Sequence, residues 1–334
     1  MNKPRLSICI ATYNRADYIG ETLESIIPQV TDEVEIVIVD GASTDSTGSI
    51  VKSYIEVCNQ IRYIRLPSKG GVDHDYDQAV ELAQGEYCWM FTDDDLLKDG
   101  AIEKVLLEMS RGYSLIIVNS DVWNRDFSTQ IFEKQLSDKV QTIYELHKFD
   151  DFFQDCIKYL SFIGAVVIKR DLWKERDRES YFGTEFIHIG VIFQKLLPTA
   201  VRVITYPFIK IRYGNAQWTN RKFEIWMISW PKLLWSFQSI SQAAKQNFIA
   251  EEPWRNLNSL FVSRSLSAYN NTIFKKLISN YNTSYTWRFF AKCISLFPIK
   301  IANIITIKYF IIRGKTKNVI FYDLLEKGFN KPGS

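Results

Sequence analysis

Tyr-Cys-Trp-Met-Phe-Thr-Asp-Asp-Asp, residues 87–95, decides the fold of this 334-residue chain. The first five residues form an apolar run typical of a buried β-strand, and the run leads into three consecutive carboxylates. Acidic residues are favoured at a helix N-terminus, which accounts for one or two of the three. A buried strand that brings carboxylates to the edge of a sheet is also typical of a ligand site with a hard cation. We therefore predict a divalent-cation site at the end of this strand.

The composition is that of an ordinary folded protein with room for about two domains. Hydrophobic residues make up 46% and charged residues 24% of the chain. The net charge is only +3 and no block of like charges occurs, so nothing indicates a nucleic-acid partner. The five cysteines have neither disulfide-frame nor zinc-site spacing. Since the N-terminus has no signal-peptide pattern, we expect a cytoplasmic protein.

Strands and helices alternate along the first part of the chain. Apolar, β-branched runs predict strands at 6–11, 35–39, 61–66, 87–91 and 115–118, and helical spacing follows each of the first four. This alternation predicts an α/β fold with a mostly parallel central sheet flanked by helices. Right-handed crossovers bring the carboxyl ends of parallel strands to one edge. The loops at Thr12, Asp40 and Asp94 should therefore face one crevice.

The loops at this edge lack the usual glycine-rich phosphate cradles. A Rossmann dinucleotide site needs GxGxxG after the first strand, where this chain has Ala-Thr-Tyr-Asn-Arg-Ala at 11–16. The P-loop motif GxxxxGK[ST] is also missing from the sequence. We therefore expect a nucleotide whose phosphates are neutralised by a metal ion.

Four motifs in order resemble those of family 2 glycosyltransferases with the GT-A (Rossmann-like) fold. They are Thr-Tyr-Asn-Arg at 12–15, Val-Asp-Gly-Ala-Ser-Thr-Asp-Ser-Thr at 39–47, Ala-Gln-Gly-Glu-Tyr at 83–87 and Thr-Asp-Asp-Asp-Leu-Leu at 92–97. Each motif is weak alone, and their order makes the set specific. The resemblance implies a nucleotide-sugar donor bound by Thr12, Tyr13, Asn14, Arg15, Asp40, Asp45, Asp77, Asp93 and Asp94.

The chain departs from the family pattern at Thr92 and at Asp77. Thr92 stands where the family's Asp-x-Asp motif usually begins, so the resemblance implies that Asp94 and Asp95 bind Mg²⁺ or Mn²⁺. Asp77 stands where the family usually has asparagine, at the start of a helix predicted over 76–83. His74 and Asp75 are expected in a solvated loop before that helix, and a contact with the donor or metal is the alternative.

The reaction also needs a general base for the acceptor hydroxyl, and residues 181–190 are the candidate segment. The family often supplies a Glu-Asp pair here, which this chain lacks. Glu185 and His188 share a face if the segment is helical, and either could be the base. The chain resembles most closely the O-antigen, abequosyltransferase-like branch, which favours His188. The alternative is that one of the pair only caps a helix or completes a hydrogen bond in the core.

Further along, Arg212, Asn215 and Trp218 are candidate contacts to the diphosphate or sugar, with an ordinary surface loop as the alternative. The predicted division is a GT-A domain over 1–220 and a mainly helical region over 221–334. Residues 287–317 mix apolar and basic side chains with Pro298, which is unsuited to a membrane-spanning helix. An interfacial helix on anionic lipid and a helix docked on the protein both remain open. In the interfacial case, Lys300, Asn303 and Lys308 would form its polar arc.

These features predict a glycosyltransferase, peripheral on the inner face of the cell membrane. The donor would be a nucleotide sugar, and the acceptor a hydroxyl of a lipid-diphosphate-linked oligosaccharide in O-antigen or surface-polysaccharide biosynthesis. A sugar nucleotidyltransferase is one alternative, although the loop at 11–15 lacks the glycine- and arginine-rich sequence it needs. A non-catalytic, membrane-associated protein that binds nucleotide sugars is the other, and it predicts binding without turnover.

Overall fold

The computed structural model describes residues 3–215, 221–316 and 319–329, without the side chains of 327–329. The contacts divide the chain into two compact units. The first holds the residues up to 216 together with 237–248, and the second holds 217–236 and 249–334. A helical segment beyond residue 220 therefore belongs to the same unit as the sheet. The division into domains at residue 220 stays a prediction.

The described part of the first unit contains one mixed, mostly parallel sheet. Its order is β3-β2-β1-β4-β9-β6-β10-β5, with β7 paired to β6 and β8 paired to β10. The strands are Leu6–Thr12 (β1), Val34–Asp40 (β2), Ile61–Arg65 (β3), Tyr87–Phe91 (β4), Leu96–Leu97 (β5), Leu115–Trp123 (β6), Gln130–Phe132 (β7), Ile143–Tyr144 (β8), Val166–Lys169 (β9) and Val201–Arg212 (β10). The five predicted strands are β1 to β4 and β6, which confirms the predicted α/β class.

The predicted convergence of loops at one sheet edge is confirmed by the strand register. Thr12 pairs with Asp40 across β1 and β2, and Ile10 pairs with Phe91 across β1 and β4. The strand β9, which the sequence pattern did not predict, lies antiparallel between β4 and β6. Because β9 opposes both neighbours, β4 and β6 still run parallel and end at the same edge. Fully buried side chains such as Ile8 and Trp89 form the core beneath this edge.

The sheet unit also contains eight α-helices among its described residues. They are Ile19–Ile26 (α1), Thr47–Ile55 (α2), Val72–Leu82 (α3), Ala101–Met109 (α4), Phe149–Leu160 (α5), Arg170–Glu175 (α6), Ile187–Phe193 (α7) and, after two helices of the other unit, Gln242–Phe248 (α10). The helix α3 begins at Val72, earlier than the predicted Tyr76. The expectation that His74 and Asp75 lie in a solvated loop is therefore wrong, because both are helical and Asp75 is buried.

The second unit is helical throughout its described secondary structure, as predicted. Its α-helices are Lys222–Glu224 (α8), Trp230–Ser236 (α9), Leu257–Ser265 (α11), Asn271–Ile273 (α12), Tyr285–Leu296 (α13), Ile299–Ile312 (α14) and Val319–Phe329 (α15). Two π-helical turns, Ile225–Ser229 and Phe274–Ile278, continue α8 and α12. An aromatic core around Trp254 and Tyr269 packs between α8, α11, α13 and the π-helical turn after α12.

The helix α14 buries Asn303 and Thr306 and exposes several of its isoleucines, while Lys300 and Lys308 are exposed as well. Asn303 is only 4% exposed and donates its Nδ2 to the Leu324 carbonyl at 2.9 Å. Ile304 and Ile305, in contrast, are 54% and 46% exposed. The predicted polar arc that contains Asn303 is therefore wrong. Within the described ranges, no single helix has the length and hydropathy of a membrane span, and only α13 and α14 together pass that test, as a pair bent by 103°.

Candidate active site

The loops after β1 and β2 are held together by backbone and side-chain hydrogen bonds. Gly41 N donates to the Thr12 carbonyl at 2.9 Å. Asn14 donates its backbone N–H to Ser43 Oγ at 2.9 Å, and its Oδ1 accepts from Thr44 N at 2.7 Å. Asn14 has a φ of +52°, a left-handed conformation that asparagine tolerates better than most residues. The predicted donor residues Thr12 and Asn14 therefore belong to one rigid pair of loops.

Asp40 and Asp45 are both engaged within the second loop. Asp40 is fully buried, with Oδ1 accepting from Ser43 N at 2.7 Å and Oδ2 accepting from Tyr63 OH at 2.6 Å. Asp45 accepts from the backbone N and the hydroxyl of Thr47 at the start of α2, and from Ala16 N at 3.1 Å. Such side-chain acceptors satisfy helix N-terminal N–H groups. Both carboxylates shape the loops in this structure, and their contact with a donor stays a prediction.

Arg15 links the first loop to the aspartates after β4. Its Nε lies 3.3 Å from Asp93 Oδ1, and its Nη2 lies 3.4 Å from Asp94 Oδ2. Its Nη1 also donates to the Asn215 carbonyl at 3.1 Å, and Asn215 Nδ2 donates to Asp94 Oδ2 at 2.8 Å. One guanidinium therefore holds two of the three consecutive carboxylates and the chain just after β10.

The third carboxylate, Asp95, points into the protein. Its Oδ2 accepts from the Thr92 hydroxyl at 2.5 Å and its Oδ1 accepts from Arg212 N at 2.7 Å. Arg212 is itself buried and donates its Nη2 to Glu21 at 2.6 Å. The alternative of an ordinary surface arginine is therefore wrong, because Arg212 ties β10 to α1 and to the loop of Asp93, Asp94 and Asp95, here called the aspartate loop. A contact of Arg212 with the diphosphate or sugar stays a prediction. Trp218, named with it, lies outside the described residues.

The aspartate loop offers carboxylate oxygens to a cation, and the phosphates of a bound substrate would have to supply further oxygens. Burial raises the pKa of Asp93 to about 7, with the neighbouring Asp94 charge adding to burial and Arg15 opposing it. Burial also raises the pKa of Asp94, again against Arg15. One guanidinium does not offset the cost of these close negative charges. Among the described residues, no group of three or more His, Cys, Asp or Glu forms a ready metal cage. Mg²⁺ and Mn²⁺ fit such a site, since hard cations bind through one or two carboxylates plus substrate phosphates.

The helix α3 carries buried aspartates toward different neighbours. Asp75 lies against the second loop, where a Cβ on Gly41 would come within 2.6 Å of its Oδ2. Asp77, predicted to contact the donor, instead accepts from Trp173 Nε1 at 2.8 Å and lies 3.2 Å from Arg178 Nε. Its contacts are thus to α6 and the chain that follows, and a donor contact of Asp77 stays a prediction.

The two candidate bases have different surroundings. Glu185 is partly exposed, has a φ of +70°, and donates its backbone N–H to Asp73 Oδ2 at 2.8 Å. His188 is 1% exposed in the core, and its Nε2 is bonded to the Leu160 carbonyl at 2.8 Å. Because a carbonyl only accepts, Nε2 carries the proton, and Nδ1 has no hydrogen-bond partner among the described residues. Burial lowers the pKa of His188 to about 4.

His188 should make the folded protein less stable in mild acid. Its unfolded pKa is near 6.5, so below that pH the unfolded chain binds a proton that the folded core excludes until about pH 4. Stability from this residue is therefore present above pH 6.5 and is lost as the pH falls. From pH 7 to pH 5 we expect wild type to lose about 2 kcal/mol more unfolding free energy than His188→Gln. Urea unfolding of both proteins at both pH values measures this, and equal losses would contradict it.

Comparison with known proteins now identifies the family. The family model described as Glycosyl transferase family 2 matches residues 7–174, half of the chain. This chain is a family 2 glycosyltransferase. The abequosyltransferase RfbV of Salmonella typhimurium is 27% identical over 308 residues, 83% of this glycosyltransferase and 88% of that protein. A Campylobacter jejuni GalNAc(5)-diNAcBac-PP-undecaprenol beta-1,3-glucosyltransferase is 26% identical over 188 residues, 54% of this chain and 57% of that one.

Two solved structures share this fold. TarS 1-349 of S. aureus, in complex with UDP-GlcNAc, matches this glycosyltransferase with a TM-score of 0.54 at 16% identity, over 97% of this chain and 91% of that one. The mannosyltransferase PcManGT of Pyrobaculum calidifontis, in complex with GDP-Man and Mn2+, matches with a TM-score of 0.53 at 14% identity, over 98% and 88%. Such low identity supports the fold alone. The predicted GT-A fold and the predicted glycosyltransferase class are confirmed.

Proposed function

We propose that this glycosyltransferase moves a sugar from a nucleotide-sugar donor to a hydroxyl of a lipid-diphosphate-linked oligosaccharide, in one inverting displacement. The observation that carries the proposal is the joining of the β1, β2 and β4 loops around Asp93 and Asp94, with Arg15 between these two carboxylates. The resemblance to RfbV supports a role in O-antigen or related surface-polysaccharide biosynthesis. The Campylobacter relative, whose name includes a PP-undecaprenol acceptor, supports a lipid-linked acceptor.

We assign the donor diphosphate to Asp94, Arg15 and a bound Mg²⁺ or Mn²⁺. PcManGT, solved with GDP-Man and Mn2+, supports a divalent ion at a site of this fold. When bound, the ion would neutralise charge on the departing nucleoside diphosphate. Of the two predicted ligands, Asp94 is the better candidate, since both oxygens of Asp95 already accept hydrogen bonds from the chain. The nucleoside side of the site would be formed by the loops after β1 and β2, which contain Thr12, Tyr13, Asn14, Asp40 and Asp45.

We assign the general base to Glu185 in preference to His188. A base must come within hydrogen-bond reach of the acceptor hydroxyl, and the partly exposed Glu185 meets that condition better than a core histidine. The one lone-pair nitrogen of His188 is buried, and its neighbour Phe186 is buried as well. Glu185 would remove the proton as the acceptor oxygen attacks the anomeric carbon from the face opposite the diphosphate.

The lipid-linked acceptor suggests a membrane surface as partner, and α13 and α14 have the matching chemistry. Their exposed side chains are largely apolar, among them Phe289, Phe290 and Ile304. The chain from 285 to 322 carries no Asp or Glu but has Arg288, Lys292, Lys300, Lys308, Arg313, Lys315 and Lys317. Apolar and basic side chains together favour the interface of an anionic bilayer. We propose that the enzyme works on the cytoplasmic face of the cell membrane through this surface.

Vesicle binding tests the membrane part of the proposal. The protein should sediment with phosphatidylglycerol vesicles, sediment weakly with phosphatidylcholine vesicles, and lose binding as salt rises. The double variant Ile304→Glu, Ile305→Glu should bind the vesicles about tenfold more weakly. Each substitution removes an apolar contact with lipid and adds a negative charge that the anionic lipid repels. Leu107→Glu is the matched control, since Leu107 is 58% exposed on α4 of the other unit. Equal loss in both variants would count against α14 as the lipid contact.

The reaction itself is tested with a panel of nucleotide sugars and a membrane extract that contains lipid-linked oligosaccharides. We expect nucleoside diphosphate release that depends on one donor and on the extract, that stops with EDTA and that returns with Mg²⁺ or Mn²⁺. Full turnover in EDTA would contradict the metal assignment. Donor binding without transfer to any acceptor would contradict the catalytic assignment.

A further inference from the structure

Asp73 is a buried carboxylate for which the sequence suggested no role. It lies in the first turn of α3, directly after the Gly70-Gly71 pair, and is 4% exposed. Both of its oxygens accept backbone N–H groups from a distant part of the chain. Oδ2 accepts from Glu185 N at 2.8 Å, and Oδ1 accepts from Ile187 N at 2.9 Å. The carboxylate therefore holds the backbone on both sides of Phe186, directly at the proposed base.

The backbone that receives Asp73 has an unusual shape. Gly183 has a φ of +81° and Glu185 a φ of +70°, so two left-handed residues lie close together before α7. A non-glycine residue in this region is strained and persists only where its surroundings hold it. Successive N–H groups in such a turn converge and form a concave site for an anion. Asp73 is the anion in this turn, and it stabilises the backbone conformation from which the Glu185 side chain projects.

The opposite side of the same helical turn faces the loops after β1 and β2, which are the predicted donor loops. Asp75, two residues along α3, lies so close to Gly41 that a Cβ there would come within 2.6 Å of its Oδ2. Gly41 N is bonded to Thr12 O, so the β1 and β2 loops are fixed to each other at this point. One rigid turn of α3 therefore touches the predicted donor loops and the Glu185 loop at once.

We infer that Asp73 is a positioning residue that sets the location of Glu185 relative to the donor site. The inference rests on the proposed function only in taking Glu185 as the base. Proton transfer and attack require reacting groups in one narrow geometry, and a displacement of about 1 Å by a distant mutation can cost a hundredfold in rate. We assign Asp73 no contact with the donor or the acceptor. It acts through the two backbone N–H groups that it holds.

The variant Asp73→Asn tests the inference with little change in shape. The carboxylate of Asp73 accepts hydrogen bonds from both Glu185 N and Ile187 N, whereas an amide has only one acceptor oxygen. The NH₂ group of the introduced asparagine would therefore face one of these N–H groups, and that hydrogen bond would be lost. We expect kcat to fall roughly ten- to hundredfold while the donor KM changes less than about twofold. In the absence of substrate, amide hydrogen exchange at Glu185 and Ile187 should become faster, with the rest of the sheet unit unchanged.

Glu108→Gln is the matched control. Glu108 is a similarly buried carboxylate on α4, and it is paired with Arg202 at 3.0 Å and Lys104 at 2.7 Å, neither of which is a proposed site residue. Asp73→Glu keeps the charge and shifts it by one methylene, so it should give a smaller loss of kcat than Asp73→Asn. It also provides the test if the asparagine variant does not fold.

Three results would overturn the inference. They are unchanged exchange at Glu185 and Ile187, a donor KM that rises in step with the fall in kcat, and an equal fall in kcat for Glu108→Gln. Hydrogen exchange needs no substrate, so it decides whether Asp73 holds the loop even if no acceptor is found. A wild-type protein without transferase activity would count against the proposed function. In that case, the comparison of amide exchange at Glu185 and Ile187 between wild type and Asp73→Asn would still decide whether Asp73 holds the loop.

Discussion

Replacing Glu185 by glutamine lowers kcat by roughly 10²- to 10⁴-fold, the usual contribution of a general base. The glutamine side chain has nearly the same shape and cannot take the hydroxyl proton. The backbone N–H of residue 185 still reaches Asp73, so the loop keeps its conformation. Steady-state kinetics with saturating donor measure the fall in kcat, and equilibrium donor binding should stay within about twofold of wild type because the base acts on the acceptor.

The variant His188→Gln, compared with Glu185→Gln, tests which of the two residues is the general base. His188 lies in the core with a pKa lowered to about 4 and a bond to the Leu160 carbonyl. Glutamine can replace that bond, so the variant should keep most of its kcat at pH 7 under conditions where it is folded. A loss of more than a hundredfold in kcat for His188→Gln, beside an active Glu185→Gln, would reverse the assignment of the base.

Replacing Asp94 by asparagine lowers kcat/KM by roughly 10²- to 10³-fold, comparable with the loss of one preorganised electrostatic contact to a developing charge. The change removes a carboxylate charge 3.4 Å from Arg15 and leaves the Asn215 amide within reach of an acceptor oxygen. The loop should therefore stay folded while the site loses affinity for the divalent ion and the diphosphate. Titration of activity with Mn²⁺ should show a raised half-saturating concentration.

Asp95→Asn separates the two predicted metal ligands. Asp95 accepts from Thr92 and from the Arg212 backbone, so its replacement should lower the unfolding free energy by about 1 to 3 kcal/mol. Its effect on the Mn²⁺ requirement should be smaller than that of Asp94→Asn. A larger shift in the Mn²⁺ requirement for Asp95→Asn than for Asp94→Asn would assign the ion to Asp95 and contradict our choice.

The positions of the residues at the strand ends could be predicted well, because the local sequence pattern determines where these strands begin and end. The apolar runs that become β1, β2 and β4 are short, bounded by polar turns and connected by helices, so their register and shared edge follow from general rules. The long strand β10 was missed. It begins as a typical apolar run, but Pro207 and a bulge between Ile204 and Ile209 interrupt the alternation by which strands are recognised.

Side-chain roles in the site were harder to predict, because they depend on partners far away in the sequence. Arg212 resembles a surface or ligand-binding arginine until its bonds to Asp95 and Glu21 are known. Asp73 resembles an ordinary acidic residue in the first turn of a helix, where such residues are favoured anyway. Its contact with Glu185 spans 112 positions, and no local signal in the sequence identifies that partner.

The outward isoleucines of α14 also affect how the purified protein should behave in solution. Ile301, Ile304 and Ile305 are about half exposed among the described residues, so in plain buffer they face water or another copy of the protein. Concentrated samples should therefore self-associate, and a mild detergent should disperse them, since detergent covers exposed apolar side chains. A newly made chain would meet this hazard as soon as α14 folds. If α14 binds lipid as proposed, the membrane would protect the protein against aggregation as well as bring it to the proposed acceptor.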